Sequence, residues 1–512
     1  MKKQSLVKGT FVLGLSGIIA KFLGLFFRWP IQMLIGDEGF GYYQMSYPLY
    51  MFFIAISSGV PVAISKMVSE KSATKDVEGI IEILRKALLL MIFMGFGFTI
   101  ILICFSKKII LFLKWDTKSY YSLISISIAP IFISIMSAFR GFFQGLQNMN
   151  PTAISQILEQ IGRVIVGVGF AYILLPKGIE YSAAGAALGA VAGGILGSIY
   201  LFNKYMSIRK DIKIVNVKND TYIMEKLLHI AIPISLGATV GTVMSLIDSA
   251  LVPQKLLQAG FASKEATILY GQLTGKAFTL VNVPLTLSMS LCASLMPIIA
   301  EAYVLNRNIE VLNKVDMALR FSMVIALPSF AGLYYMALPI LNLIFPGQVQ
   351  GYTILKYLSI AIPFIILSQT STAILQGIGQ YVRPVINLAI GCIGKIVLTM
   401  ILVSIPYINI YGAVIGTIVG YLISAILNIR LVKKKLDIKI NYYDIMIKPA
   451  FASVLMIIAV VFIYMYVYNY TISSRIACLV SIFSGILAYG VLIILFGVFN
   501  YRYLKSRFFN RR

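Results

Sequence analysis

The sequence predicts an all-α polytopic membrane protein of two six-helix lobes plus two C-terminal helices, and three observations carry that prediction. The chain of 512 residues is 59% hydrophobic and 12% charged, with a mean hydropathy of +0.88, outside the range of a water-soluble domain of this length. Its apolar residues form runs long enough to cross a bilayer. Its 44 Lys and Arg against 19 acids give +25, and most of the basic residues sit in the short gaps between those runs. That is the positive-inside pattern of a membrane protein and argues against a nucleic-acid partner.

A helix needs about 20 mostly apolar residues to span the hydrocarbon core. On that ruler the chain holds fourteen spans: 10–34, 47–68, 87–105, 121–143, 153–175 and 182–202 in the first lobe, 227–251, 270–298, 317–345, 357–378, 385–405 and 411–431 in the second, then 450–468 and 476–499. The N-terminal run is read as a span, not a secretory signal, because Lys21 and Arg28 interrupt it and no small-residue cleavage site follows. The domain boundaries follow as 1–203 for the N-terminal lobe, 204–226 for a basic linker, 227–431 for the C-terminal lobe, and 432–512 for the last two helices and a basic tail.

An even number of spans puts both termini on one side. Placing that side in the cytoplasm puts the basic stretches 66–86, 204–226, 307–320, 430–448 and 502–512 inside, while 36–41, 346–351 and 405–411, which hold no Lys or Arg, lie outside. Lys107, Lys108, Lys114 and Lys118 dissent by falling outside. The expected location is the plasma membrane.

Two self-matches suggest that the lobes are repeats. Gln144-Gly145, Pro151 and Gly162-Arg163 are echoed by Gln376-Gly377, Pro384 and Gly394-Lys395, with eighteen residues from Gln to the second Gly both times. Ser58-Gly59-Val60-Pro61 is echoed by Ser294-Leu295-Met296-Pro297. Two repeats around a central cavity is the usual plan of a secondary transporter.

Several classes of chemistry are excluded. Cys104, Cys292, Cys392 and Cys478 lie singly in apolar segments, so neither a disulfide frame nor a zinc site is expected. The single histidine, His229, leaves no triad, HExxH site or histidine relay. Gly271-Gln272-Leu273-Thr274-Gly275-Lys276-Ala277 is one residue short of a phosphate loop and lacks its terminal Ser/Thr, and no DxD occurs. No cofactor and no metal are expected. Pro30, Pro61, Pro233, Pro284, Pro297, Pro328 and Pro363 interrupt spans, as proline commonly does in membrane helices.

Six basic residues fall in or just inside apolar spans: Lys21, Arg28, Arg140, Arg163, Lys276 and Lys395. Each costs about 2.5–3.5 kcal/mol at mid-membrane, so such groups face a water-filled cavity or a partner, or snorkel to the headgroups. Lys21 and Arg28 are seven apart and share one helix face. With Lys276 they would make a cationic cavity suited to a diphosphate. Gln156, Glu159, Gln160 and Arg163 share one side of the fifth span, where Glu159 and Arg163 either neutralise one another or contact substrate. In the seventh span Ser235, Thr239, Thr242, Ser245 and Ser249 form a hydroxyl stripe beside Asp248, a lone intramembrane acid read as a counter-ion or a cation-coupling group.

Several strings resemble the stage V sporulation protein B group of the multidrug/oligosaccharidyl-lipid/polysaccharide exporter superfamily. They are Lys21-Phe22-Leu23-Gly24 with Arg28 and Pro30; Gly36-Asp37-Glu38-Gly39-Phe40-Gly41; Ser58-Gly59-Val60-Pro61 to Ser65-Lys66; and Arg140-Gly141-Phe142-Phe143-Gln144-Gly145 through Met149, Pro151-Thr152, Ser155-Gln156 and Glu159-Gln160 to Arg163. The resemblance implies a two-lobed bundle that transports lipid-linked peptidoglycan or polysaccharide precursors. In the related lipid II flippases the first and eighth helices carry cavity cations. By that resemblance Lys21 takes the first position, Arg28 lies slightly displaced from the second, and Lys276 lies a few residues from the third.

The function expected is therefore a flippase for an undecaprenyl-diphosphate-linked sugar, working by alternating access, with Lys21, Arg28, Lys276 and Arg140 as cavity cations. Gln156, Glu159 and Arg163 form a secondary polar network, and coupling is to the membrane potential or, through Asp248, to a monovalent cation. The expected partners are the lipid-linked oligosaccharide diphosphate, membrane lipids and cell-wall synthesis enzymes, with the chain a monomer. Two other classes fit the composition: a drug/cation antiporter of the same fold, which would use acids in its cavity, and a membrane glycan-transfer enzyme, which would need a catalytic acid or base facing the exterior.

Overall fold

The computed structural model describes residues 6–209, 222–438 and 440–498, and the Lys21 side chain lies outside the described part. No strand occurs among the described residues, and the chain divides into two compact units, Met1–Gly271 and Gln272–Arg512. Of the basic linker expected at 204–226, residues 210–221 lie outside the described part.

The first unit comprises α1 (Leu6–Ser57), α2 (Gly59–Ala73), α3 (Val77–Leu113), α4 (Ser119–Ser127), α5 (Ala129–Gly145), α6 (Asn150–Leu174), α7 (Ile179–Arg209), α8 (Tyr222–Gln258) and α9 (Ser263–Gly271). Helix is the only open element that satisfies every backbone donor in hydrocarbon, so each apolar run folds this way once it leaves water. The ends are set by local chemistry. The Asp76 carboxylate accepts the Gly79 N–H at 2.9 Å to start α3, Lys114 in the left-handed region (φ 51°) ends it, and a proline in the first turn opens α6. α1 breaks at Gly36, whose φ of 63° and ψ of −167° suit only glycine. The core of this unit centres on Ile31, Phe40, Tyr50, Ile64, Phe139 and Phe143.

The second unit begins with a π-helical turn at Gln272–Ala277 and continues through α10 (Phe278–Val304), α11 (Asn308–Tyr335), α12 (Ala337–Ile344), α13 (Tyr352–Leu358), α14 (Ala361–Gly377), α15 (Val382–Leu402) and α16 (Tyr411–Leu436). A second π turn, Tyr443–Ile447, leads into α17 (Lys448–Thr471) and α18 (Ser474–Leu495). Arg320 fastens α11 to this last pair: it donates to Asp316 at 2.6 Å, to Asp444 at 3.5 Å and to the Val498 carbonyl at 3.2 Å.

Among the described residues ten helices are long and apolar enough to cross a membrane, or up to twelve if each of two bent pairs is one span. The structure therefore does not reproduce the count of fourteen. The spans expected at 10–34 and 47–68 both fall in one 59-residue stretch, Leu15–Ala73, which is interrupted by the kink at Gly36 and is counted once among the ten. The span expected at 270–298 straddles the π turn and α10, which is not one of the ten. The surface is apolar as bilayer demands: Phe93 is 78%, Phe112 81% and Phe483 70% exposed. This is a multi-pass membrane protein.

Candidate functional site

The functional side chains of the first unit are aimed by a close approach of α6 to α7. A Cβ at Gly189 would lie 2.7 Å from the Arg163 carbonyl oxygen, and one at Gly193 would collide with the Glu159 carbonyl oxygen. Gly185, Gly189, Gly193 and Gly197 recur every four residues on α7, the small-residue spacing that lets two membrane helices touch through their backbones. With α7 against its backbone, α6 presents Glu159 and Arg163 to α5 and α1. The sequence reading missed this stripe, although its period was visible.

Glu159 there bridges two arginines. Its Oε2 accepts from Arg140 Nη2 of α5 at 3.0 Å, and its Oε1 from Arg163 Nη2, one turn further along α6, at 3.3 Å. Each guanidinium has a second, neutral anchor. Arg140 Nε donates to the Ser155 hydroxyl at 2.8 Å, which in turn donates to the Thr152 carbonyl, and Arg163 Nη2 donates to the Tyr50 hydroxyl at 3.3 Å. The three side chains are 12–16% exposed, and two cations against one carboxylate leave the cluster positive.

α1 supplies the facing wall. Ser16 donates to Gln156 Oε1 at 2.9 Å, a Cβ at Gly24 would lie 3.7 Å from Gln160 Oε1, and one at Gly167 would meet the Phe27 ring. Arg28, half-buried, follows Gly24 by four residues on the same face. Beyond the Gly36 break, the rings of Tyr43, Tyr47 and Tyr50 meet in sequence at tilted angles, with centroids 5.3 and 5.7 Å apart. The structure thus gathers Arg140, Glu159 and Arg163 in one cluster, with Gln156 on α6 bonded to α1, the helix that carries Arg28.

The remaining expected residues lie elsewhere. Lys276 belongs to the second unit, where it is fully buried in the π turn and donates to the Gln350 carbonyl at 3.2 Å. Gly351, at φ 86°, sits against the Gln272 side chain of the same turn, so Lys276 and Gln272 together hold the 346–351 loop. Asp248 is buried on α8, next to Ser249, whose carbonyl accepts the Trp115 indole N–H at 2.7 Å. Lys21 sits on α1 three residues before Gly24, with its side chain outside the described part.

Residues 6–303 match the family described as polysaccharide biosynthesis protein. The chain belongs to that family. It is 32% identical over 450 residues to stage V sporulation protein B of Bacillus subtilis (strain 168), covering 86% of both chains. Lipid II flippase MurJ of the same organism is 26% identical over 457 residues, covering 84% of this chain and 83% of the relative. A solved structure of lipid II flippase MurJ in an inward closed conformation shares the fold, with a TM-score of 0.73 at 17% identity over 96% of this chain and 99% of that one. The resemblance carried by the motifs of the first 165 residues is thereby shown.

The glycine-rich strings of this family chain have a packing explanation. A Cβ at Gly141 would lie 2.5 Å from the Pro61 carbonyl oxygen and one at Gly145 2.7 Å from that of Ser65, so these motifs join α5 to α2. Gly41 and Gly271 likewise set α1 against α9, each touching the other helix's backbone at Thr267 and Asp37. The repeat echo also shows where the lobes diverge. In its register Arg140, Ser155 and Glu159 correspond to Thr372, Asn387 and Gly391. In the second unit Asn387 donates to Asn428 at 2.8 Å and Asn428 to Thr372 at 3.0 Å, an amide and hydroxyl network in place of the Arg140–Glu159 ion pair, while the buried Lys395 keeps a cation at the register of Arg163.

Proposed function

We propose that this chain is a flippase that moves an undecaprenyl-diphosphate-linked sugar, a peptidoglycan precursor or a polysaccharide unit, from the inner to the outer leaflet. The observation that carries the reading is the positive cluster of Arg140 and Arg163 about Glu159 within the apolar spans of the first unit, with Arg28 on the α1 helix that packs against α6. Cations at that depth are costly unless they meet water or an anion. A diphosphate is the anion whose geometry suits guanidinium forks. Kinship with a protein named for lipid II flipping supports the same cargo class, and kinship with a sporulation protein supports a role in spore or cell envelope synthesis.

On this reading Lys21 and Arg28 hold the diphosphate while the lobes rock about it. Each elementary charge moved through the full membrane potential is worth about 2.3 kcal/mol per 100 mV, so a negative interior favours outward passage of an anionic cargo without ATP. Both termini lie in the cytoplasm, and the chain works as a monomer in the plasma membrane. Asp248, a buried intramembrane acid, favours a supplementary coupling to a monovalent cation.

The decisive experiment is a depletion strain, also lacking any second flippase, in which lipid II at the outer leaflet is measured. Loss of the outer-leaflet signal, restored by the wild-type chain and not by Lys21→Ala or Arg28→Ala at equal protein level, is the expected result. An undiminished signal removes lipid II as the cargo.

A further inference from the structure

We propose that Glu159 is a resident substitute for the cargo's diphosphate: it holds Arg140 and Arg163 ready, and an incoming diphosphate displaces it from them. The inference rests on the lipid-diphosphate reading above and adds to it a second anion site, built from α5 and α6 of the first unit.

Three features of the cluster point this way. Glu159 offers one carboxylate to two guanidiniums that come from different helices, with one oxygen for each. A pair kept only to neutralise charge would balance; this one leaves an excess positive charge inside an apolar segment, a cost that an arriving anion removes. Secondly, neither arginine depends on Glu159 for its place, since Ser155 anchors Arg140 and Tyr50 anchors Arg163. If the carboxylate swings away, the two forks stay where they are, which is the preorganisation that anion binding needs. Thirdly, Arg163 Nε is buried and makes no hydrogen bond among the described residues, so the fork has donor capacity that the resting cluster does not use. A diphosphate, with two linked phosphoryl groups, can take both arginines and that spare donor together. The carboxylate then competes for the arginines on the far side of the cycle and speeds release.

The corresponding register of the second unit supports a role in cargo binding over one in folding. There Thr372 and Asn387 stand for Arg140 and Ser155 and are joined through Asn428 of α16, Gly391 stands for Glu159, and of the three charges only that of Arg163 is kept, as Lys395, so packing this pair of helices does not require a carboxylate shared by two arginines.

The test uses the purified full-length chain in nanodiscs, with farnesyl diphosphate as the ligand and farnesol as its uncharged control, binding being measured by titration and folding by thermal melting. Glu159→Gln should bind farnesyl diphosphate about tenfold more tightly, a change of about 1.4 kcal/mol, and should turn over more slowly in a flipping assay. Arg163→Gln should bind at least about tenfold more weakly, and adding Glu159→Gln to it should recover part of that loss. The double variant keeps the charge balance and so covers the case in which Glu159→Gln alone fails to fold. Unchanged affinity in Glu159→Gln, or no recovery in the double variant, overturns the displacement role. A wild-type chain that binds farnesyl diphosphate no better than farnesol overturns instead the lipid-diphosphate reading itself.

Discussion

Arg140 and Glu159, nineteen residues apart in sequence, meet at 3.0 Å between Nη2 and Oε2 and tie α5 to α6. The connection between these helices is short and Ser155 holds Arg140 as well, so the ion pair does not create their neighbourhood; it brings both arginines onto one carboxylate. In α6 the same carboxylate reaches Arg163 at the favourable spacing of four, with the acid on the N-terminal side.

Losses on removing members of this cluster should not add. Arg140→Ala strands part of the Glu159 carboxylate in a poorly hydrated place, and a loss of about 3 kcal/mol is expected. The double variant Arg140→Ala/Glu159→Ala should lose less than the two single losses added together. Thermal melting of the purified proteins in detergent checks this. Additive losses would mean that the two side chains do not act as a unit.

Lys276 should behave as a structural cation. Its Nζ on the Gln350 carbonyl is a buried contact inside the second unit, so Lys276→Ala should lower stability by about 2 kcal/mol or more. Hydrogen exchange should rise in the 346–351 loop. A variant of wild-type stability and loop protection that nevertheless fails to transport would return Lys276 to the cargo path.

The seam between α1 and α9 should not accept side chains. A Cβ at Gly271 collides with the Asp37 carbonyl oxygen, and one at Gly41 with that of Thr267. Backbone atoms cannot step aside as a flexible side chain can, so Gly271→Ala should destabilise the first unit by about 1–3 kcal/mol. Glycine-to-alanine exchange at Gly97, which has open space around it, should leave the melting temperature within a degree or so of wild type. Equal melting temperatures for all three proteins would show that the seam opens without cost.

Orientation is accessible to labelling. The Lys264 side chain is 66% exposed and that of Lys226 38%. In a background with Cys104→Ser, a membrane-impermeant maleimide applied to intact cells should mark Lys264→Cys and leave Lys226→Cys unmarked until the cells are opened. The reverse pattern would turn the protein over in the membrane.

Much of the site was legible in one dimension because helix geometry is local. Gln156, Glu159 and Arg163 share a face by spacing alone, and the structure has Glu159 and Arg163 paired as that spacing requires. The partner of Glu159 on α5 was named as a cation but not as its partner. No periodicity within one helix says which residue of the next helix lies opposite. Tyr50 gave still less signal, being one of several tyrosines in an apolar run. The helical breaks gave no clear signal in the sequence: the non-helical Gly36 inside α1 and the Gln272–Ala277 π turn both lie in or beside apolar runs that read as continuous.

By itself the sequence determined the solvent and the secondary structure, because a bilayer leaves a long apolar chain no alternative to helices that close their own hydrogen bonds. It also determined the family, through motifs whose glycines and prolines are demanded by helix contacts. The tertiary structure decided which cations meet. It drew Arg140 and Arg163 onto one carboxylate through the glycine contact of α6 with α7, and it buried Lys276 against a loop carbonyl in the other unit. The physical reason is range: burial and charge pairing between helices depend on rotations set by close packing at many positions at once, whereas a run of apolar residues reads the same in any rotation.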